Sequence, residues 1–541
     1  ELKRAFEMKS TTKVGASRWL QTRKKILQQI KRRVAGHTLK ESFELQAYRE
    51  EYERGFCKKF EPSQINDLMN AISGATVVFG GDFHAFPQAQ RMHLKILRRL
   101  EPQQKVTIAF EATTEEQNTV VENFLSNKLS EKNFLKKMNW QETWGFPWEN
   151  YRPLFLLAKE RGYRIIGLSQ DAHQKSKKLK QRDRRAAQVL KLEQRDFPDY
   201  KIYTIFGDLH IASQHLPAEL KLLLPKVASL SIFLNPEKIY FKLAEKGLEN
   251  NIEIVKLSRD QFCVMGSPPW VQWQSYLMYL ERSSDEMLSE FEPTDEVRAL
   301  VGIICSDLKI EISLNDLAVY ASHDENFWRV VQGQLTLKET KIARDMIAEG
   351  RSLYFPQNGA CYLARSTVNH IAELAGLAVH AKLSNRKTFF WNMPHDFEKQ
   401  IWCEAMSFFM SKLINHKRSS PSLMDLDVKL REVTAGPDHE ILKLALDQRM
   451  SEILLVHKMR RKKPAFLPRR KTSYLFASRI LGSMMGERLY IALQSNKIKL
   501  VHINEFLKFD IARSDFINFY LQILWWLEPI QVEMKSRRER L

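Results

Sequence analysis

Apolar and polar positions follow two different rhythms along the chain. Between residues 75 and 275, short β-rich runs occur at Thr76–Phe79, Val106–Phe110, Arg164–Leu168 and Ile202–Phe206, each followed by a helical pattern. Two more strand-like runs lie at Leu230–Leu234 and Glu253–Leu257. Strands that alternate with helices predict parallel pairing through crossover helices. The runs are apolar almost throughout, as strands covered on both faces must be. The pattern therefore predicts an α/β domain with a mostly parallel sheet flanked by helices, over residues 65–275. A helical insertion is expected at 115–160, between the second and third strands.

Outside that block the period is helical. In residues 1–64, Trp19, Leu20, Ile26, Ile30 and Val34 recur at near-helical spacing with Arg23, Lys24, Lys25, Lys31, Arg32 and Arg33 between them, which predicts a basic helical arm. Such an arm suits a membrane surface, or it packs its apolar stripe on the next domain and leaves a solvated basic face. After about residue 275 the strand signals fade. Residues 276–541 read as successive helices broken by Pro293, Pro356, Pro394, Pro421 and Pro437, an all-helical C-terminal region. A helical region of this size offers a homodimer interface, a second pocket or a partner dock. No run approaches the roughly 18 apolar residues of a membrane-crossing helix; the richest, Phe516–Leu527, ends at Glu528.

Charge narrows the partners. The 541 residues carry 84 Lys and Arg against 64 Asp and Glu, a net charge of +20, which favours anionic ligands such as phosphate- or propionate-bearing molecules. The segment Lys458–Lys471 is basic and proline-broken, but no recognisable nucleic-acid motif accompanies it, so nucleic acid is not an expected partner. The five cysteines (Cys57, Cys263, Cys305, Cys361, Cys403) are scattered and form no CxxC pair, which argues against a disulfide framework or a zinc finger. The chain starts at Glu1 without a visible signal peptide, so the expected location is cytoplasmic, or membrane-associated if a signal preceded Glu1.

Candidate chemistry gathers at the strand ends. The first strand runs into Gly80-Gly81-Asp82-Phe83-His84, the second into Glu111, and the fourth into Gly207-Asp208-Leu209-His210. In parallel sheets, ligands bind beyond the carboxyl ends of the strands. Asp82, His84, Glu111 and His210 are thus expected on one rim, where two carboxylates and two imidazoles suit a divalent metal or acid–base work on a water. The bland reading of any one of them is a helix cap or a hydrogen-bonded histidine. The insertion carries Trp140, Trp144, Phe146, Trp148 and Tyr151, which either line a slot for a flat ligand or form a local core. Arg152, and Arg182 in the run Arg182-Asp183-Arg184-Arg185, are candidates to meet an anionic group. His370, Glu373 and His380 share one helix face and suggest a weaker metal constellation. Ser267-Pro268-Pro269-Trp270 reads as a rigid structural exit from the sheet.

These residues resemble the ChaN-like domain of the haem-binding-uptake/Tiki superfamily, related to the TraB proteins and the erythromycin esterases. The resemblance rests on Gly81-Asp82-Phe83-His84, on Glu111, on Trp144 to Pro153 ending in Tyr-Arg-Pro, and on Gly207 to His210. The family's usual acid in the first motif is glutamate, so Asp82 shortens the reach by one methylene. The resemblance implies an α/β fold over residues 65–275 and haem binding linked to iron uptake, often in bacterial lipoproteins. Candidate axial ligands of a haem iron are then Tyr151, His84 or His210, and the residues expected around the ligand are Trp144, Trp148, Tyr151, Arg152 and Arg182. The family's hydrolase branches imply instead that Asp82, His84, Glu111 and His210 hold a divalent metal or activate water. A scaffold with a degenerate site is the third reading.

Overall fold

In the computed structural model the described residues are 19–38, 42–169, 178–283, 293–321, 326–388, 392–457 and 470–528, with positions 324, 468 and 530. Most of the basic segment 458–471 and the first 18 residues of the arm lie outside them. The chain divides into two compact units, the first ending at Leu280 and the second beginning at Glu281.

The first unit is built on an eight-stranded sheet: β1 (Glu61–Ser63), β2 (Val77–Asp82), β3 (Val106–Thr114), β4 (Arg164–Ser169), β5 (Lys201–Gly207), β6 (Ser229–Leu234), β7 (Ile254–Ser258) and β8 (Gln261–Val264). Their order is β1-β7-β8-β6-β2-β5-β3-β4. The six strands from β8 to β4 are mutually parallel, whereas β7 runs antiparallel to β8 and to β1. The fold is thus α/β with a mostly parallel sheet, as the alternating pattern predicts. The run Glu253–Leu257 is β7, whereas β8 and the edge strand β1 escape that pattern, because strands of four and three residues carry too few positions to show a period.

Connections from β2 and β3 move one way along this order, and those from β4 and β5 move the other way. Right-handed crossovers then put the helices of the two sets on opposite faces. The adjacent strands β2 and β5 therefore flank the point where the winding reverses, and ligand crevices open there. Gly80 and Gly81 show why this strand ends in glycines. A Cβ on Gly80 would stand 2.7 Å from His93 of helix Pro87–Arg98, and one on Gly81 would run into the Asp208 carboxyl on the other face. Any larger residue would push one layer off the sheet.

The described part of the N-terminal arm is docked on this unit. Helix Leu20–His37 buries Ile26, Leu27, Ile30 and Val34, while Lys24 and Lys31 pair with Glu245 and Glu237. Helix Phe43–Gly55 follows, with Phe56 packed edge-on to Phe233 of β6. The arm's apolar stripe is thereby spent on the domain. Beyond β8, the exit segment is fixed as expected: the Ser267 amide donates to Asn235 and Trp270 packs on Tyr240.

The second unit is helical apart from a small three-stranded sheet that the sequence pattern does not reveal: β9 (Ala318–Ala321), β10 (Leu353–Phe355) and β11 (Ala360–Leu363), ordered β10-β11-β9. Its central helices, Val368–Leu383, Phe397–Ile414 and Lys471–Gln494, approach closely through glycines: Gly376 sits against Ser407, and Gly482 and Gly486 against residues 401–409. The His370, Glu373, His380 constellation is not a metal site here. Glu373 is claimed by Arg418 and Arg479, and His370 bonds to Thr367. Burial pushes the His380 imidazole down to about 3. All five cysteines are free.

Candidate active site

Strand register delivers the rim. Asp82 lies opposite Gly207, and Phe110 opposite Ile205, so Asp82, Glu111 and the Gly207–His210 turn emerge at one level from three neighbouring strands. Asp82 is buried, 3% exposed, and accepts three hydrogen bonds. They come from His84 Nδ1 at 2.9 Å, the Tyr151 hydroxyl at 2.9 Å and the Gln90 amide at 2.5 Å. The His84 ring is thereby fixed, with Nδ1 toward the carboxylate and Nε2 3.6 Å from Glu111 Oε2. Trp144 and Phe146 flank the ring, with centroids at 4.6 and 5.2 Å. Burial alone would lower the His84 pKa. The Asp82 hydrogen bond and the charges of Asp82 and Glu111 outweigh it and raise the value above that of a free imidazole.

Glu111 is ion-paired with Arg182 and accepts the Gly207 amide at 2.6 Å. Burial would raise its pKa, but the Arg182 charge, then those of His84 and His210, hold the carboxyl below the usual range. His210 repeats the arrangement around His84: its Nδ1 meets Asp183 Oδ1 at 2.6 Å, and Asp183 is fully buried. The two imidazoles and Glu111 converge on one point. A Cβ on Gly207 would stand 3.3 Å from Glu111 Oε2, 3.5 Å from His84 Nε2 and 3.6 Å from His210 Cδ2. The bare face of Gly207 is therefore the floor between the three side chains. Beside it, burial and then the Asp82 charge push the Asp208 carboxyl up to about 8, and its Oδ1 is buried without a hydrogen-bond partner.

This floor makes a direct prediction. Gly207→Ala should fold, because its nearest new contacts are side-chain atoms beyond 3 Å. It should also weaken any ligand held between His84, Glu111 and His210 by about tenfold or more, as a 1 Å displacement can. Unchanged affinity in the variant would place the ligand elsewhere.

The four rim residues expected from the sequence are thus brought together. The aromatic insertion behaves differently. Trp148 is buried among Phe134, Trp140 and Phe155, with its indole N–H on Glu131, and Arg152 pairs with the same Glu131. Both belong to the local core of the insertion and its surface. Tyr151 is fully buried beneath Asp82, and burial keeps its phenol well above the usual range, so it stands as a hydrogen-bond donor rather than an exposed axial ligand. Only Trp144 and Phe146 of the run bring rings against His84. Arg182 reaches the rim through Glu111, while its neighbours Arg184 and Arg185 pair with Glu219 and Glu115.

A divalent metal does not fit this donor set. Asp82 is filled by three donors, and Glu111 is held by a guanidinium and an amide. Among the described residues no group of three or more His, Cys, Asp or Glu side chains is arranged to hold a metal ion. Haem finds one imidazole suited to it. His84 is the more exposed of the two rim histidines and carries aromatic neighbours, whereas His210 and Tyr151 are buried.

The first unit is thus an α/β domain with a mostly parallel sheet whose strand ends gather anchored histidines and acids. Residues 68–197 match the family described as haem-binding uptake, Tiki superfamily, ChaN, so the first unit carries a ChaN-like domain. The match takes in Asp82, His84, Glu111 and Arg182 and stops before the Gly207–His210 turn. No curated protein and no solved structure matches the chain.

Proposed function

We propose that the first unit binds a small anionic molecule over Gly207 and hydrolyses it, with His84 as the general base. One observation carries this reading: two imidazoles, each anchored at Nδ1 by a buried aspartate, converge with Glu111 on a single glycine face. A base must hold the proton it takes. The imidazolium formed on His84 is stabilised by Asp82 on one side and Glu111 on the other, the same two charges that raise its pKa. In the step proposed, His84 Nε2 takes a proton from water as the water oxygen bonds to the carbonyl carbon of an ester. The carbon–oxygen bond to the leaving group then breaks as His210, acting from its imidazolium form, gives its Nε2 proton to that oxygen, yielding acid and alcohol; solvent then takes the proton from His84 and restores the one on His210. Arg182 supports the Glu111 carboxylate and places positive charge beside the anionic substrate. No step is assigned to a metal ion.

Haem is the second reading, supported by the family description. His84 would meet the iron, Trp144 and Phe146 would border the macrocycle, and the basic surroundings would suit its propionates. Bound haem would supply an iron centre for ligand exchange or electron transfer.

Two titrations of the full chain separate these readings. Hydrolysis of p-nitrophenyl esters that falls at least about a hundredfold in His84→Ala supports the first. A saturable, shifted Soret band at stoichiometric haemin that is lost in the same variant supports the second. Neither turnover nor saturable haemin binding would overturn both and leave the scaffold.

A further inference from the structure

The N-terminal arm lies outside the matched segment, yet it reaches the rim. Tyr48, on helix Phe43–Gly55, donates its hydroxyl to Asp183 Oδ2 at 3.2 Å, while Asp183 Oδ1 holds His210 Nδ1 at 2.6 Å. We propose that Tyr48 is a positioning residue of the active site, fixing the buried carboxylate that orients His210. This rests on the reading of His210 as a proton-transfer group.

The geometry supports it from three sides. Asp183 is fully buried, so the two oxygens of its carboxylate depend on protein donors, and Tyr48 and His210 take one each. Tyr48 is itself buried, its ring T-shaped to His210 at 5.9 Å and stacked on His215 at 3.8 Å. His215 is clamped in turn, with Nε2 2.7 Å from Glu51 and Nδ1 2.5 Å from the Leu209 carbonyl. Tyr48 and Glu51 are three residues apart and so share a helix face. One helix face thereby grips the 208–211 turn through His215 and holds Asp183, the carboxylate that orients His210, through Tyr48. Burial and the Asp183 charge raise the Tyr48 pKa, which keeps the phenol protonated and able to donate.

The test reads the proton on His210 directly. In the full chain with labelled histidine, the His210 Nδ1–H resonance should shift in Tyr48→Phe, while that of His84 stays in place. Phe56→Leu is the control: it loosens helix docking against Phe233 but leaves the Tyr48 hydroxyl. A shift in Tyr48→Phe alone supports positioning. Equal shifts in both variants, or none in Tyr48→Phe, would reduce Tyr48 to packing and overturn the inference. If the chain turns over the ester probe, Tyr48→Phe should also lower kcat about tenfold with KM unchanged. A shifted resonance in a chain that hydrolyses nothing would remove the hydrolase reading and leave the positioning role standing. Turnover without a shift would remove Tyr48 alone.

Discussion

Asp82→Asn should lower ester turnover by about a thousandfold or more, the scale seen when an aspartate that anchors a catalytic histidine becomes an amide. Asp82 offers acceptors only, and all three of its neighbours donate: His84, Tyr151 and Gln90. An asparagine must turn its NH2 toward at least one of them. If that group faces His84, the imidazole is forced into the other tautomer and Nε2 carries a proton where its lone pair is needed. If it takes the Oδ1 position instead, it faces Gln90, whose amide can turn its buried, unpartnered Oε1 to accept; the His84 tautomer then survives, but the Asp82 charge that stabilises the imidazolium is still lost. The pH dependence gives a second readout. His84 is raised above a free imidazole mainly by Asp82, so the wild-type rate should climb with pH through a midpoint above the ordinary 6.5. In Asp82→Asn the strongest raising influence is gone, and the midpoint should fall below that of the wild type. A profile whose midpoint ignores the substitution would remove His84 from the chemistry.

The rim was legible because strand ends leave a mark in sequence: an apolar run, a glycine that permits close approach, then an acid or histidine. Asp82, His84 and His210 follow that rule, and Glu111 follows its apolar run directly, without a glycine. What supports them does not. Asp183 sits inside a run of arginines that reads as a solvated helix start, and nothing local says that its carboxyl is buried under His210. Tyr48 is more than 130 residues from its partner Asp183, and a tyrosine in a helix rich in glutamate advertises only an apolar contact. The aromatic run predicts burial correctly, but aromatic density has no direction: Trp148 turns into the local core while Trp144 turns to His84. In the second unit, three strands of three or four residues are too short to compete with the helical period around them.

Removing the guanidinium from the rim tests its electrostatics most severely. In Arg182→Ala, Glu111, 4% exposed in the wild type, keeps the Gly207 amide and His84 but loses the guanidinium paired with it. Breaking a buried pair on one side typically costs about 3–5 kcal/mol, because the charge left behind is neither solvated nor matched. In the wild type the folded Glu111 carboxyl lies below its ordinary 4.5, so its contribution to stability is present above that value and disappears as pH falls through the folded value. The variant reverses the sign. Burial now prevails over what remains of the favourable charges, the folded carboxyl rises above its unfolded value, and the folded state takes up a proton first as pH falls. The stability gap between wild type and Arg182→Ala should therefore be widest near neutral pH and shrink toward pH 5. Adding Glu111→Gln should recover most of the loss, since a neutral amide no longer requires a counter-charge. Native-state hydrogen exchange at the Gly207 amide, whose acceptor is Glu111 itself, reads this locally in the first unit. A loss below about 1 kcal/mol, independent of pH, is what a solvated surface pair would give, and it would mean that Glu111 is not the buried anion on which this site is built.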